Sequence, residues 1–281
     1  MTPVGVVDSI PLMHPDPKRA DTAALFEDPA SWRSYESNPY LEERTRIVRS
    51  MIPPDAKSVA DIGCGNGILL RALAADGRRT MGVDPSLTAL RSFDLARACA
   101  RGESLPLRDG AADCAACLEV LEHLTDEGVP ACAGELARVA RRWVLVAVPE
   151  REDPRRNALR CPRCGTVFNR NHHLQTFDRA RLAGLFPGFD VRDVRRGGQP
   201  VRAYPAPLLW LRHRAARRFY KGPGEAHGLC PQCDNRDFPA FRPNVLSILL
   251  DGVNRLISRR RPYWILMLLE RHTDGSIGGG R

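Results

Sequence analysis

The sequence predicts an α/β fold in which a largely parallel sheet is flanked by helices. Three observations support this fold class. An apolar strand that ends near Asp61 runs into a glycine-rich turn and then directly into a helix. Two more apolar runs of strand length follow at residues 112–118 and 143–148. The residues between them, 130–142, have helical periodicity and basic residues at the end. Continuous apolar runs are typical of parallel strands that are buried on both faces.

The turn after the first strand has the sequence Asp-Ile-Gly-Cys-Gly-Asn-Gly over residues 61–67. Glycine allows a tight turn and lets the backbone come close to a ligand. The helix that follows presents free N–H groups to the same place. We therefore predict a binding site for a nucleotide-like cofactor. Its candidate residues in this turn are Asp61, Gly63, Cys64, Gly65, Asn66 and Gly67.

The cofactor class follows from what surrounds the turn. The spacing of the glycines differs from the dinucleotide pattern Gly-x-Gly-x-x-Gly. The turn also lacks the Gly-Lys-Ser/Thr ending of the loops that bind a triphosphate. A second predicted strand, residues 80–84, ends in Asp84, about 20 residues after the turn, where such folds place a carboxylate on the ribose hydroxyls. A nicotinamide-binding fold remains the alternative.

These residues resemble the class I S-adenosylmethionine-dependent methyltransferases, of the methyltransferase-11-like type, from about residue 58 to 150. The resemblance implies S-adenosylmethionine as cofactor, with the methionine half on the glycine-rich turn and the ribose on Asp84. It also implies a seven-stranded sheet whose last strand is antiparallel. Residues 101–110 resemble the segment that runs past the adenine, but Arg101 stands where the family usually has an acid. Either Glu103 or backbone amides would then contact the base.

Four cysteines form two similar knuckles, Cys161-Pro-Arg-Cys164 and Cys230-Pro-Gln-Cys233. Two Cys-x-x-Cys pairs complete a tetrahedral site for one structural Zn²⁺. The first knuckle follows predicted strand five. The second lies between predicted strands six and seven, residues 189–194 and 263–270. We expect the zinc to join two insertions into a cap beside the substrate pocket. The remaining cysteines are interpreted as core residues: Cys64, Cys99, Cys114, Cys117 and Cys132.

A second constellation follows strand four, where Glu119, Glu122 and His123 are spaced to share one face of a helical turn. The ubiquinone-biosynthesis and small-RNA 2′-O-methyltransferases resemble the chain here, and they bind a divalent cation with a further histidine, for which His173 is the candidate. One alternative is such a second cation. Another is a general base, His173 or His123, without a metal. In the third, Glu119 touches the cofactor and both histidines are structural. The candidate acceptor-side residues are His173, His123 and Glu119.

Bulk properties limit the partners. The formal net charge is +9 at pH 7, which suits an acidic substrate, nucleic acid, an anionic membrane or simply a solvated surface. No basic run is interleaved with aromatics, as single-strand binding requires. We expect a cytoplasmic enzyme without a transmembrane span, acting on a hydroxyl or amine of a small molecule such as a secondary metabolite or a sugar precursor, with acidic molecules among the candidates. An RNA 2′-O-methyltransferase and a non-catalytic cofactor-binding scaffold are the alternatives.

The predicted organisation alternates between core and insertions. Residues 31–150 form the cofactor-binding core, which continues at 178–196 and ends with a last strand at 262–272. Residues 151–177 and 197–261 form the two zinc-knuckle insertions. Residues 1–30 and 273–281 are expected to be loosely ordered.

Two predicted helices carry apolar residues together with basic ones, at residues 207–220 and 244–260. The stripe on the second consists of Val245, Leu249, Val253, Leu256 and Ile257. Such a stripe is typical of core packing, a homodimer seam or a helix on an anionic membrane. The sequence leaves these alternatives open.

Overall fold

The computed structural model describes residues 26–27, 32, 35, 38–214, 229–238 and 243–272. The chain divides into two compact units. The first, which we call the sheet unit, contains the described residues of Ala23–Arg151, Gln175–Gln199 and Pro262–Arg281. The second, which we call the knuckle unit, contains those of Glu152–Leu174 and Pro200–Arg261.

The sheet unit consists of helices and strands that alternate along the chain. Its helices are α1 (Tyr40–Met51), α2 (Ile68–Ala75), α3 (Leu87–Leu90), α4 (Gly128–Val139) and α5 (Arg179–Gly184). A short 3₁₀ helix spans Leu121–His123. Its strands are β1 (Ser58–Ile62), β2 (Arg79–Asp84), β3 (Arg97–Cys99), β4 (Ala112–Leu118), β5 (Ala140–Pro149), β8 (Phe189–Gly197) and β11 (Trp264–Arg271).

All seven strands form one sheet in the order β3-β2-β1-β4-β5-β11-β8. The first five are parallel to one another, and β11 lies antiparallel between β5 and β8. This topology confirms the predicted Rossmann-like α/β fold with an antiparallel last strand. The carboxyl ends of β1, β2 and β4 therefore lie at one edge, where open α/β sheets bind ligands.

The two faces of the sheet carry separate hydrophobic cores. Cys114 and Ala116 of β4 pack on the face covered by α1 and α2. Ala115 and Cys117 pack on the face covered by α4 and α5. Successive side chains of a strand alternate between faces, so Cys114 and Cys117 point into opposite cores. They are core residues, as the sequence predicts. The same prediction for Cys99 is wrong, because Cys99 is exposed in the short edge strand β3.

Within the knuckle unit, β6 (Ala158–Arg160) and β7 (Val167–Asn169) form a hairpin around the first cysteine pair. A 3₁₀ turn, Pro154–Asn157, precedes it. The second insertion contains β9 (Val201–Arg202), α6 (Ala206–Arg214), α7 (Val245–Ile257) and β10 (Arg260–Arg261). Strands β9 and β10 pair antiparallel.

Two local predictions are wrong. The helix predicted to reach Arg142 ends at Val139, because the backbone becomes extended at Ala140 and enters β5. Arg141 and Arg142 are thus exposed strand residues that pair with acids on neighbouring segments. Glu119 does not begin a helical turn. It has a φ of 60°, and its N–H donates to Ala147 O at 2.8 Å, so it extends the pairing of β4 with β5.

Several predictions lie outside the described residues. These are most of the N-terminal segment, the part of the first basic helix after residue 214, and the C-terminal tail. Over the described part of the chain, no helix is both long and apolar enough to span a membrane.

Candidate functional site

The glycine-rich turn between β1 and α2 has a backbone that only glycine adopts without strain. Gly63, Gly65 and Gly67 have φ values of 72°, 52° and 75°. A Cβ on Gly63 would lie 2.1 Å from Val120 Cγ2. The Gly63 N–H donates to Val83 O at 2.7 Å, which ties the turn to β2. The turn is therefore held tightly against the ends of two strands.

The carboxylate of Asp84, at the end of β2, organises this turn. Asp84 Oδ2 accepts a hydrogen bond from Gly65 N at 2.9 Å, and Oδ1 accepts one from Ser86 N at 2.8 Å. Burial raises the pKa of Asp84, and the two backbone N–H groups counteract this. Each oxygen keeps a second lone pair, so the carboxylate can also accept from the two hydroxyls of a ribose. The geometry fits the role that the resemblance implies.

Asp61 is an almost fully buried acid, 3 % exposed, within β1. Burial raises its pKa to about 7; the Arg44 guanidinium opposes this rise and Asp84 adds to it. Arg44, on α1, is itself buried and hydrogen-bonds the Tyr35 hydroxyl. It also lies 3.8 Å from the Glu119 carboxylate. A buried cation thus joins α1 to the acids near the ends of β1 and β4, a role that sequence analysis missed.

This buried acid leads to a prediction of pH-dependent stability. Because the folded-state pKa of Asp61 lies above its ordinary value of 3.8, the folded protein holds this proton more tightly, and stability falls as pH rises towards 7. The Asp61→Asn variant has no carboxyl at this position, so its stability does not fall with pH in this way. We expect the melting temperature of the variant, relative to the wild type, to increase from about pH 5 to about pH 8. The linked free energy is at most about 4 kcal/mol.

Asp113→Asn is the matched control. Hydrogen bonds from Ser58 and the charge of Arg141 outweigh desolvation and lower the pKa of Asp113. Its contribution to stability is therefore constant over the same pH window. If the melting temperatures of both variants differed from that of the wild type by the same amount at every pH, the expected role of Asp61 would be contradicted.

Aromatic side chains from the N-terminal segment lie over the turn. A Cβ on Gly65 would come within 2.7 Å of the Trp32 ring. Phe26 packs against Trp32 and, edge-on, against His123, both with centroid distances of 5.7 Å. Glu27 accepts hydrogen bonds from Leu87 N and the Thr88 side chain, which fastens this segment to α3. These rings are suitable for covering a cofactor that binds on the turn.

The residues after β4 separate into two groups. The ligand atoms of Glu122 and His123 lie within 4.8 Å of each other, and Glu122 is buried. Glu119 faces Arg44 instead. Within the sheet unit, the structure therefore brings Glu122 and His123 together and assigns Glu119 to the buried cation. Before β4, the Glu103 side chain lies near the start of α4, since its Oε1 would be 3.3 Å from a Cβ on Gly128. Arg101 is exposed.

In the knuckle unit, His173 belongs to a buried polar network. Its Nδ1 lies 2.5 Å from Glu152 Oε2. Glu152 also accepts from Asn157 Nδ2 at 2.8 Å. The His173 backbone N–H donates to Asn169 Oδ1 at 3.3 Å. Glu152 and His173 are both about 5 % exposed. An Nδ1–H that donates to the carboxylate places the imidazole lone pair on Nε2, the arrangement of an oriented general base or metal ligand.

Sequence analysis missed Glu152. It lies 21 residues before His173, and nothing in the chain pattern joins the two. The neighbouring His172 has a different part. Its Nε2 lies 2.9 Å from Leu229 O, and burial lowers its pKa to about 4, so it is neutral at physiological pH. It connects the first insertion to the residue before the second knuckle.

The four predicted zinc ligands converge within the knuckle unit. Their Sγ atoms all lie within 4.8 Å of one another. Cys161 Sγ is 3.6 Å from Cys233 Sγ, and Cys164 Sγ is 3.6 Å from Cys230 Sγ. A disulfide needs about 2.05 Å. Four thiolates around one Zn²⁺, at Zn–S distances of about 2.3 Å, are separated by about 3.8 Å. The donor set fits a tetrahedral zinc ion.

The two knuckles share a backbone hydrogen bond and a left-handed residue at the same position. Gly165 N donates to Cys161 O, and Asp234 N donates to Cys230 O, both at 3.0 Å. Gly165 and Asp234 are both left-handed, with φ values of 78° and 55°. The small core around the cysteines contains Leu159, Phe168 and Phe238. Such a small core suits a fold that depends on a metal.

Cys64, although it lies in the turn, has no reactive character. Burial raises the pKa of its thiol far above the ordinary value, and the acids Asp61 and Asp84 raise it further. The thiol stays protonated and fills space beside Leu70 and Phe93. Its contribution to the site is its backbone, whose N–H donates to Val83 O at 3.2 Å.

Comparison with known proteins agrees with this geometry. Residues 60–147 match the model of a family described as a methyltransferase domain. The sheet unit thus has the Rossmann-like fold of the methyltransferases that this match indicates. The matched residues run from β1 to β5 and include the glycine-rich turn, Asp84 and the segment after β4. Both cysteine knuckles lie outside the match.

Curated relatives match over a similar region. A ubiquinone biosynthesis O-methyltransferase of Ralstonia nicotianae is 37% identical over 111 residues, which are 35% of this chain and 45% of that protein. One of Cupriavidus pinatubonensis is 40% identical over 90 residues, 27% of this chain and 36% of that protein. The chain thus spans less than half the length of these relatives.

Solved structures share the fold of the methyltransferase domain over most of the chain. A chain in the complex between the Haloferax volcanii Trm112 methyltransferase activator and a methyltransferase aligns with a TM-score of 0.55 and 17% identity. It covers 91% of this chain and 97% of that one. A Burkholderia thailandensis 1,6-didemethyltoxoflavin-N1-methyltransferase aligns with a TM-score of 0.50 and 13% identity, covering 91% and 88%. At these identities the likeness establishes the fold.

Proposed function

We propose that the protein is an S-adenosylmethionine-dependent methyltransferase that acts on a hydroxyl or amine of a small molecule. The observation that carries the proposal is the arrangement of Asp84 and Gly65. A buried carboxylate fixes the glycine-rich turn and keeps lone pairs for a ribose. The family match over the same residues supports this cofactor.

A hydroxyl is the favoured acceptor in this proposal. The curated relatives that match the core are named O-methyltransferases. The surplus of basic residues suits an acceptor with negative charge. Small phenols and catechols that carry a carboxylate combine both features, and they are the first acceptors to test.

The bound sulfonium would supply an electrophilic methyl group. The chain then has to align the acceptor oxygen and remove its proton. We assign proton removal to His173, whose Nδ1–H is held by Glu152 so that Nε2 presents the lone pair. In the sheet unit, His123, after β4, and Glu119 are the other residues that we propose for the acceptor side. The Arg44 guanidinium lies 3.8 Å from the Glu119 carboxylate and faces it.

In the same proposal, Cys161, Cys164, Cys230 and Cys233 hold one structural Zn²⁺. Four thiolates leave no open coordination position, so the ion has no catalytic part. It would join the two insertions that make up the knuckle unit and thereby support the loop that carries His173. The matching knuckle backbones and the distances between the sulfur atoms support this assignment.

The Glu152–His173 pair leads to a kinetic prediction. His173→Ala should lower kcat by about a hundred-fold or more, as expected for the loss of a general base. Glu152→Gln should lower it by about ten-fold, since the ring keeps a hydrogen-bond partner but loses the charge that orients the proton. Affinity for S-adenosylmethionine should not change, because the cofactor residues belong to the sheet unit. Steady-state kinetics and calorimetry separate the two quantities.

His272→Ala is the matched control, because His272 is half-exposed and lies at the end of β11. It should keep full activity. A fall in cofactor affinity in the Glu152 or His173 variant, with kcat unchanged, would contradict the proposed base.

The function itself is tested by binding and transfer. Calorimetry should show S-adenosylmethionine binding at micromolar concentration. Release of S-adenosylhomocysteine should then depend on adding one member of a panel of phenols, catechols and amines. A folded protein that does not bind the cofactor would overturn the proposal and indicate a non-catalytic scaffold. Elemental analysis before and after mild chelation would reveal any second divalent ion, which would assign Glu122 and His123 to metal binding.

A further inference from the structure

Helix α7 displays an apolar surface that nothing in the proposed function uses. Among the described residues, eight large hydrophobic side chains are exposed, and seven of them belong to this one helix. Leu256 is 88% exposed and Val245 is 75% exposed. The seven are Val245, Leu246, Ile248, Leu249, Val253, Leu256 and Ile257. A contiguous exposed apolar surface of this kind marks an interaction site.

Polar contacts fix this orientation of the helix. The side that α7 buries carries Ser247, Leu250 and Asn254. Asn244 and Ser247 form a capping box at its start. Asp251 accepts hydrogen bonds from Tyr204 Oη and Arg212 Nε, both at 3.0 Å. The helix is therefore anchored through its polar side, which turns the aliphatic side outward.

The width of the aliphatic surface indicates the kind of partner. At about 100° per residue, the seven side chains and Gly252 cover about half of the helix circumference. A seam between two paired helices is narrower, with two positions in every seven. A surface of half the circumference is typical of a helix that lies in the plane of a membrane interface with its apolar side in the acyl chains.

The charges around this surface are basic. Arg255 is the exposed charged residue on α7, and the exposed Arg259 and Arg260 follow directly. The acid of the helix, Asp251, is paired with Arg212. Arginines at the rim of an apolar helix surface attract anionic headgroups. The long arginine side chains reach these headgroups while the helix itself lies deeper in the interface. A helix of 13 residues is about 20 Å long, which is too short to cross the roughly 30 Å hydrocarbon core.

We propose that α7 docks the protein on an anionic lipid bilayer, with its seven aliphatic side chains in the interface and Arg255, Arg259 and Arg260 at the headgroups. The inference does not depend on the proposed methyl transfer, since lipid binding is measured without cofactor or acceptor. It adds a location for the reaction: a surface-bound enzyme has access to acceptors dissolved in the membrane.

The test is flotation of the full chain with vesicles. Vesicles of equal parts phosphatidylcholine and phosphatidylglycerol should carry the protein to the top of the gradient, and vesicles of phosphatidylcholine alone should carry much less. Leu249→Gln combined with Leu256→Gln should reduce partitioning by about ten-fold or more, because two aliphatic side chains leave the acyl region. Arg259→Glu should reduce it by about five-fold and only for the anionic vesicles.

Leu87→Gln is the matched control, because Leu87 is the one exposed large hydrophobic residue among the described residues outside α7. It should leave flotation unchanged. Circular dichroism should show that all variants are folded. Equal flotation of the wild type and the Leu249/Leu256 variant would overturn the proposal. So would a wild type that does not float but forms a concentration-dependent dimer, lost in that variant, on sedimentation equilibrium.

Discussion

Replacing Cys164 with serine should remove the metal from the knuckle unit and unfold it, whereas the same replacement at Cys99 should change neither metal content nor stability. Both residues are exposed cysteines that form no disulfide. Loss of buried surface therefore cannot explain a difference between them. Cys164 Sγ lies 3.6 Å from Cys230 Sγ in the four-sulfur cluster, and Cys99 is not part of it.

The expected effect is large because the free energy of zinc binding is folding free energy in a unit with so small a core. Elemental analysis of the wild type should give one zinc per chain, and Cys164→Ser should retain almost none after dialysis. We expect the first thermal transition to fall by about 10 °C or more. Limited proteolysis should then cleave within residues 152–174 and 200–261 and spare the sheet. A folded wild type without zinc, or a variant that keeps it, would contradict the metal assignment.

Asp84→Asn should weaken S-adenosylmethionine binding by about a hundred-fold. An amide has one acceptor oxygen, whereas the carboxylate of Asp84 accepts from both Gly65 N and Ser86 N. In the variant, one of these N–H groups faces an NH₂ group. The glycine turn loses its support, and the proposed ribose loses its acceptor, in a single substitution.

Calorimetry with the cofactor measures this effect, and Asp94→Asn provides the control. Asp94 is a fully exposed acid ten residues later. Among the described residues, its one ion pair is with Arg97. Its replacement should leave affinity unchanged. An Asp84 variant that binds as tightly as the wild type would exclude this carboxylate from the cofactor site, even if the fold is kept.

The sequence predicted most of the sheet because the strands carry strong local signals. The apolar run of β4 was predicted at 112–118, and the strand spans Ala112–Leu118. The alternation of its side chains explained why Cys114 and Cys117 are not ligands. Strand β3 gave no comparable signal, since its three residues lie at the edge of the sheet and are mostly exposed. An edge strand that is half solvated needs no apolar run.

The candidate site was predicted less completely. Repeated Cys-Pro-x-Cys motifs and the spacing from the turn to Asp84 are local patterns, and both sets of residues converge within their units. Glu152 and Arg44 were missed because their partners are distant in the chain, and a single buried charge has no periodicity. Glu119 was misplaced because spacing predicts a helical face only where the backbone is helical, and here φ is 60°.

The position of β11 between β5 and β8 affects how the protein is made. Strand β8 has β11 as its sole neighbour in the sheet, and roughly 70 residues separate their ends. At typical elongation rates of about 5 to 20 residues per second, β8 waits about 4 to 15 seconds and the edge of β5 about 6 to 24 seconds before β11 is synthesised. Both cysteine knuckles are synthesised during or before this delay. The nascent chain therefore presents two open strand edges to other chains at a time when the four clustered cysteines are already synthesised.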